Sequence, residues 1–232
     1  MSGKTIVITG ASKGIGLAIA EKFFAAGWNL ALCARNIDEM KNYFADSDSQ
    51  KVLVLSCDVS DKIAVQLFAD EVLKNFNTID VLVNNAGKFI PGAVHEEADG
   101  TLEMLIETNL YSAYHLSRKL IPKMKLQGSG SVFNVCSIAS THAYPNGGSY
   151  SISKFAMLGF SKALREELKP HNIKVTSLLP GATLTDSWAG VDLPESRFIK
   201  SADIAELIFS INNLSSNTVV EDIVLRPMLG DI

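Results

Sequence analysis

A doubly wound α/β fold, one parallel sheet with helices on both faces, is the class this sequence predicts. Three observations predict it. Seven short apolar, β-branched runs recur along the chain, stretches with helical spacing separate most of them, and a glycine-rich turn directly follows the first run. Near-continuous apolar strands alternating with helices belong to parallel sheets covered on both faces. Right-handed crossovers then wind the chain into one sheet rather than separate lobes.

The first run, TIVIT at 5–9, is β-branched throughout and suits a buried, pleated strand. TGASKGIG at 9–16 follows, and an apolar helical pattern runs over 16–26. The second and third strands are NLALCA at 29–34 and KVLVLSC at 51–57. A helical pattern over 62–76 leads to the fourth, IDVLVN at 79–84, which runs into NNAG at 84–87. Apolar rows over 102–124 predict a long helix before the fifth strand, SVFNVCS at 131–137. A further row over 155–168 precedes the sixth, IKVTSLL at 173–179, and EDIVLR at 221–226 is the seventh. The least regular segment, 180–200, is rich in Gly, Pro, Ser and Asp. It is expected to be a loop with at most a short helix, and loops of that length in compact domains tend to be lids or binding segments.

The chain has 232 residues, 47% hydrophobic and 20% charged, with a net charge of −4. That balance suits one globular domain, 1–232, and offers no cationic surface for nucleic acid or an acidic membrane. No apolar run approaches the roughly 18 residues of a membrane span and no signal-peptide pattern is present, so a cytoplasmic location is expected. Cys33, Cys57 and Cys136 lie within or beside strand-like runs without CxxC spacing, and are expected to be buried reduced thiols. His95, His115, His142 and His171 lack metal-ligand spacing, so no metal is expected.

The turn after the first strand carries Gly10, Gly14 and Gly16 in a GxxxGxG pattern, with Ser12, Lys13 and Ile15 between them. Glycines let backbone approach a pyrophosphate closely, and the following helix offers free N–H groups and a positive dipole end. Its place between a first strand and a first helix makes this a candidate dinucleotide loop. Further on, YSISK sets Tyr150 and Lys154 four apart, on one helix face. Alone, such a pair is either two solvated surface residues or a proton donor beside a tuning charge. Ser137 ends the fifth run, where a strand delivers residues to the open edge of the sheet. A hydrolytic triad of Ser137, His142 and Asp186 is disfavoured, since VCSIAS lacks the GxSxG elbow.

Taken in order, TGASKGIG, CDVS at 57–60, NNAG, Asn109 in ETNL, Ser137 in VCSIAS, YSISK and PGATLTD resemble the short-chain dehydrogenase/reductase family. The resemblance runs from Lys4 to about Asp203. It implies a Rossmann-type fold and hydride transfer between a nicotinamide cofactor and a carbonyl or secondary alcohol. Tyr150 is implied as general acid and base, and Lys154 as the charge that lowers its pKa and holds the nicotinamide ribose. Ser137 is implied as a donor to the substrate carbonyl, and Asn109 as the residue positioning a water between Lys154 and solvent.

Cofactor contacts are implied for the loop residues Gly10, Ser12, Lys13, Gly14, Ile15 and Gly16. Asp58 and Val59 are implied at the adenine, although Asp58 can equally belong to a helix start capped by Ser60. Asn85, Ala86 and Gly87 are implied beside the cofactor at the end of the fourth strand. Pro180, Gly181, Thr183 and Thr185 are implied near the nicotinamide, together with Tyr150 and Lys154.

After the second strand stand Ala34 and Arg35, where NAD-preferring folds place an acid. No carboxylate there repels a 2′-phosphate, Arg35 can donate to it in plane, and Lys13 resembles a second basic contact. NADP(H) is therefore expected over NAD(H). Ser140, His142, Tyr144, Asn146 and Trp188 are expected to shape the substrate pocket, for a small carbonyl or alcohol such as a 3-oxo acid, a polyol or a pteridine-type ketone. The short 186–202 stretch and the DIVLRPMLGDI ending depart from the β-ketoacyl-carrier-protein reductases that much of the chain resembles. The apolar rows over 102–124 and 155–168 resemble the helices that pair such enzymes, so a homodimer or homotetramer is expected. An NADP(H)-binding sensor on the same fold is the alternative; it would be favoured by loss of the Tyr or the Lys, and both are present.

Overall fold

The computed structural model describes residues 3–44, 51–188 and 190–232. Among them, seven parallel strands form one sheet in the order β3-β2-β1-β4-β5-β6-β7. The strands are β1 (Thr5–Thr9), β2 (Asn29–Ala34), β3 (Val52–Ser56), β4 (Val81–Asn84), β5 (Gly130–Val135), β6 (Ile173–Pro180) and β7 (Asp222–Leu225). All seven lie where the apolar runs predict them, with ends shifted by a residue or two. Between them stand α1 (Gly14–Ala25), α2 (Asp38–Tyr43), α3 (Lys62–Asn75), α4 (Thr101–Ile106), α5 (Ser112–Gln127), α6 (Gly148–Leu168) and α7 (Ser201–Asn212).

Side chains alternate across a strand, so a sheet covered twice needs apolar residues at every position. In β1, Ile6 and Ile8 enter one core with Phe23 of α1 and Ile204 and Ile208 of α7. Val7 enters the other, with Val65 and Phe68 of α3 and Leu116 and Leu120 of α5. Phe23 meets Trp28 and Phe209 edge to face at 4.9 and 5.2 Å, an arrangement that adds to plain burial. The three cysteines are buried and free. A buried polar chain ties the centre of the sheet to its helices. Asn84 Nδ2 donates to Asn134 Oδ1 at 2.8 Å and to Ser117 Oγ at 3.2 Å, Asn134 Nδ2 donates to Ser161 Oγ at 2.9 Å, and Ser161 bonds Ser177. Pairing of this kind is what makes buried amides tolerable.

Three local expectations change. The helix predicted over 102–124 is broken by a π-helical turn, Glu107–Tyr111, which carries Asn109. The cap of α3 is Asp61, whose carboxylate accepts the Ile63 N–H at 2.8 Å, and not Ser60. Ser60 instead donates its N–H and hydroxyl to Asp58. The 180–200 segment holds two short 3-10 turns and is stitched back on itself by the Leu184 N–Ile199 O and Ile199 N–Ala182 O bonds, both 2.9 Å; Ala189 within it lies outside the described residues. No helix among the described residues is long and apolar enough to cross a membrane.

Candidate active site

In an open parallel sheet the ligand crevice lies beyond the carboxyl ends of the strands, where the strand order reverses. Here that point is between β1 and β4. The glycine turn leaves β1 and the NNAG turn leaves β4, so both predicted loops meet at the crevice. They are bonded to each other. Thr9 Oγ1 accepts the Asn85 and Ala86 N–H groups at 3.1 and 3.0 Å, and Asn85 Nδ2 donates to the Thr9 and Gly10 carbonyls. Gly10 has φ +65°, and a Cβ there would lie 2.9 Å from Ala86 Cα. A Cβ on Gly16 would lie 2.3 Å from the Gly10 carbonyl oxygen. Only glycine allows these approaches.

Helix α1 begins at Gly14 with no side-chain cap and no acidic residue in its first turn. Its free N–H groups and positive end therefore suit a pyrophosphate, and this uncapped cradle fits a dinucleotide. Ile15 packs partly into the core below, Ser12 stays in the turn, and Thr185 lies over the loop, with Cγ2 3.0 Å from where a Gly14 Cβ would sit.

Arg35 is exposed beyond β2 and makes no ion pair among the described residues. Asp58 Oδ1 accepts from Ser60 N at 3.0 Å and Ser60 Oγ at 2.7 Å. These bonds, with a smaller contribution from the Arg35 charge, hold its carboxyl below the usual range. Asp58 thus stays an acceptor, and Val59 beside it packs against the α3 side of the core. The Lys13 ammonium pairs with Asp186, 173 residues away on the 180–200 segment.

Ser137 stands two residues past β5 and is 7% exposed. Its N–H donates to Ser140 Oγ at 3.1 Å and its Oγ accepts the Ala139 N–H at 3.1 Å. With Oγ accepting, its proton is left to donate, and the hydroxyl lies close enough to the Tyr150 phenol to lower its pKa. Ser140, expected at the substrate pocket, is 1% exposed, and its hydroxyl accepts the Ser137 N–H.

Tyr150 lies in the first turn of α6, with Phe89 edge-on at 4.8 Å. Burial pushes its phenol up to about 12, and the nearby Ser137 hydroxyl pulls the other way. Lys154 lies one turn on, 5% exposed, donating to the Val135 carbonyl at 2.9 Å, its Nζ 5.9 Å from the Tyr150 ring centroid. Burial lowers its pKa. The Lys154 ammonium faces the Val135 carbonyl and the Tyr150 ring, while desolvation is the largest influence on the phenol.

Asn109 is 1% exposed. Its Oδ1 accepts the Lys88 N–H at 2.7 Å, and its Nδ2 donates to the Lys88 carbonyl at 3.0 Å and to Ser153 Oγ at 2.9 Å. Ser153 donates in turn to the Tyr150 carbonyl at 2.7 Å. Both ends of the amide are engaged, so it joins the β4 loop to α6 where a water-holding side chain was expected. A Cβ on Gly87 would lie 3.3 Å from Asn109 Oδ1 and 3.4 Å from Lys154 Nζ, which places all three side by side.

His142 and Tyr144 are exposed on the loop before α6, with His142 Nδ1 bonded to Thr141 Oγ1 at 2.8 Å. Burial of its ring raises the Tyr144 pKa. Trp188 stacks obliquely on Phe198 at 5.5 Å. Pro180 ends β6, Gly181 donates to the Leu225 carbonyl at 2.8 Å, and Thr183, 5% exposed, bonds the Gly181 carbonyl. Phe89 was missed from the sequence; its signal is an aromatic two residues after NNAG. Among the described residues no group of three or more His, Cys, Asp or Glu is placed to hold a metal.

Residues 4–195 match the family model described as short chain dehydrogenase. The chain is 32% identical to sepiapterin reductase of Chlorobaculum tepidum, over 98% of this chain and 97% of that protein. Among solved structures it is similar to an alcohol dehydrogenase from the archaeon Thermococcus sibiricus complexed with 5-hydroxy-NADP, at TM-score 0.88 and 30% identity over 97% of each chain. It is also similar to L-sorbose reductase from Gluconobacter frateurii complexed with NADPH and L-sorbose, at TM-score 0.86 and 29% identity, covering 97% of this chain and 96% of that one.

Proposed function

Because the chain belongs to the short-chain dehydrogenase family, we propose that it is an NADP(H)-dependent oxidoreductase interconverting a carbonyl and its alcohol, with Tyr150 as proton donor. The observation that carries this reading is the gathering of the Tyr150 phenol, the Ser137 hydroxyl that acts on it and the Lys154 ammonium 5.9 Å from its ring, at the edge of a crevice with an uncapped helix end. The nicotinamide cofactor, when bound, supplies the hydride to the carbonyl carbon. Ser137 donates a hydrogen bond to the substrate oxygen, and Tyr150 delivers the proton that completes the alcohol. Lys154 holds the ribose hydroxyls, and its charge steadies the phenolate until solvent reprotonates it.

The unpaired Arg35 and the apolar Ala34 support NADP(H) over NAD(H), as do the NADP and NADPH in two similar structures. A ketone on a flat ring system suits Phe89 and Tyr144 beside Tyr150, and sepiapterin reductase is a similar chain.

The test is NADPH oxidation with sepiapterin, L-sorbose, 2,3-butanedione and an acetoacetyl thioester. At least one is expected to be reduced, with higher kcat/KM for NADPH than for NADH. Tyr150→Phe is expected to lower kcat by about a thousandfold while NADPH still binds. Substantial turnover by that variant, or a clear preference for NADH, would overturn the corresponding part of the reading.

A further inference from the structure

Glu97 lies on the loop between β4 and α4, outside every motif of the sequence. Its carboxylate crosses to the first turn of α6, 52 residues further along the chain. Oε1 accepts the Ser149 N–H at 2.9 Å and Oε2 accepts the Ser149 hydroxyl. That helix has no side-chain cap from Gly147 and no acidic residue in its own first turn. Glu97 supplies both from a distance: an acceptor for an orphan N–H and a negative charge at the positive end of the dipole.

The surroundings are shaped to admit this side chain. A Cβ on Gly92 would lie 2.7 Å from Glu97 Cγ, and one on Gly148 would lie 2.1 Å from Oε1. Beside it, Gly92 N–H donates to the Asn146 carbonyl at 3.0 Å, and Asn146 itself takes φ 60°. Ser149 is 2% exposed, and the next residue is Tyr150. The loop after β4 is thus clamped to the turn that presents the phenol to Ser137.

We propose that Glu97 is a positioning residue, fixing the first turn of α6 so that the Tyr150 phenol stays against Ser137. The proposal rests on Tyr150 being the proton donor. Misplacing a catalytic group by about 1 Å can cost on the order of a hundredfold in rate, so a local cap can govern turnover without touching the substrate.

The test compares wild type, Glu97→Ala and Glu97→Gln by amide hydrogen exchange on the ligand-free protein, and by kinetics with NADPH and 2,3-butanedione or another carbonyl the wild type reduces. In Glu97→Ala, exchange over 147–153 is expected to quicken about fivefold while 155–168 stays unchanged. Its kcat is expected to fall about tenfold, with KM for NADPH within about twofold. Glu97→Gln keeps an oxygen for the Ser149 N–H and is expected to restore most of both. In Glu97→Ala, the alkaline rise of alcohol oxidation is expected to move to higher pH as the phenol moves away from the Ser137 hydroxyl that lowers its pKa. Unchanged exchange over 147–153, or exchange quickened through the whole of α6, would overturn the proposal, and so would wild-type kcat in Glu97→Ala. If the wild type reduces no carbonyl while the local exchange still responds, the clamp stands and the reading of Tyr150 falls.

Discussion

At the scale of single residues, the motifs name positions and the structure supplies their surroundings. Spacing alone puts Tyr150 and Lys154 on one helix face, but not the direction of their pKa shifts, which depend on what the fold buries. The phenol at about 12 is protonated throughout the neutral range. With Tyr150 as the proposed proton donor, reduction would use that protonated form, and its rate is expected to hold from about pH 6 to about pH 9. Alcohol oxidation needs the phenolate and is expected to climb with pH toward the phenol's value. Initial rates in both directions across that range check this, and a reductive rate that falls steadily above neutrality would contradict it. Ser140, Lys13 and Asn109 escaped a full reading. The partners of Lys13 and Asn109 are set by tertiary contacts, an Asp186 far along the chain and the Lys88 backbone, whereas Ser140 turns back in a local capping box onto the Ser137 N–H three residues before it.

At the scale of elements, buried parallel strands announce themselves, because both faces demand apolar residues. Helices were read less completely. The six-residue α2 is too short and polar to show a period, and the π-helical turn at Glu107–Tyr111 inserts its irregularity into an apolar row that looks continuous. The cap at Asp61 in place of Ser60 is a one-residue shift that composition cannot decide. The glycine turn was readable because its constraints are local. A methyl group on Gly16 meets the Gly10 carbonyl oxygen, a backbone atom that cannot swing aside. Gly16→Ala is expected to weaken NADPH binding about tenfold and to lower the melting temperature by a few degrees, since overpacking costs about 1–3 kcal/mol. Fluorescence titration and thermal melting measure the two effects, and an unchanged dissociation constant would refute the tight fit.

At the scale of the whole molecule, Tyr111 (48% exposed), Tyr114 (37%), Ile152 (42%) and Phe155 (44%) leave apolar surface uncovered on the helical segments around α5 and α6. A second copy of the chain is the expected cover, giving a homodimer or a tetramer built from it. Light scattering at micromolar concentration is expected to return at least twice the chain mass, and Phe155→Glu to return the chain mass alone; a monomeric wild type would contradict this. Within one chain, an ion pair joins Lys13 of the glycine turn to Asp186 on the 180–200 segment, both about two-thirds exposed. Such a pair is worth only about 0–1 kcal/mol and is easily exchanged. A dianionic phosphate reaching Lys13 would displace the carboxylate at little cost to the fold, because the Leu184–Ile199 and Ile199–Ala182 backbone bonds hold the segment without it. The Asp186 pair and the proposed cofactor contact are therefore alternative uses of one exposed ammonium.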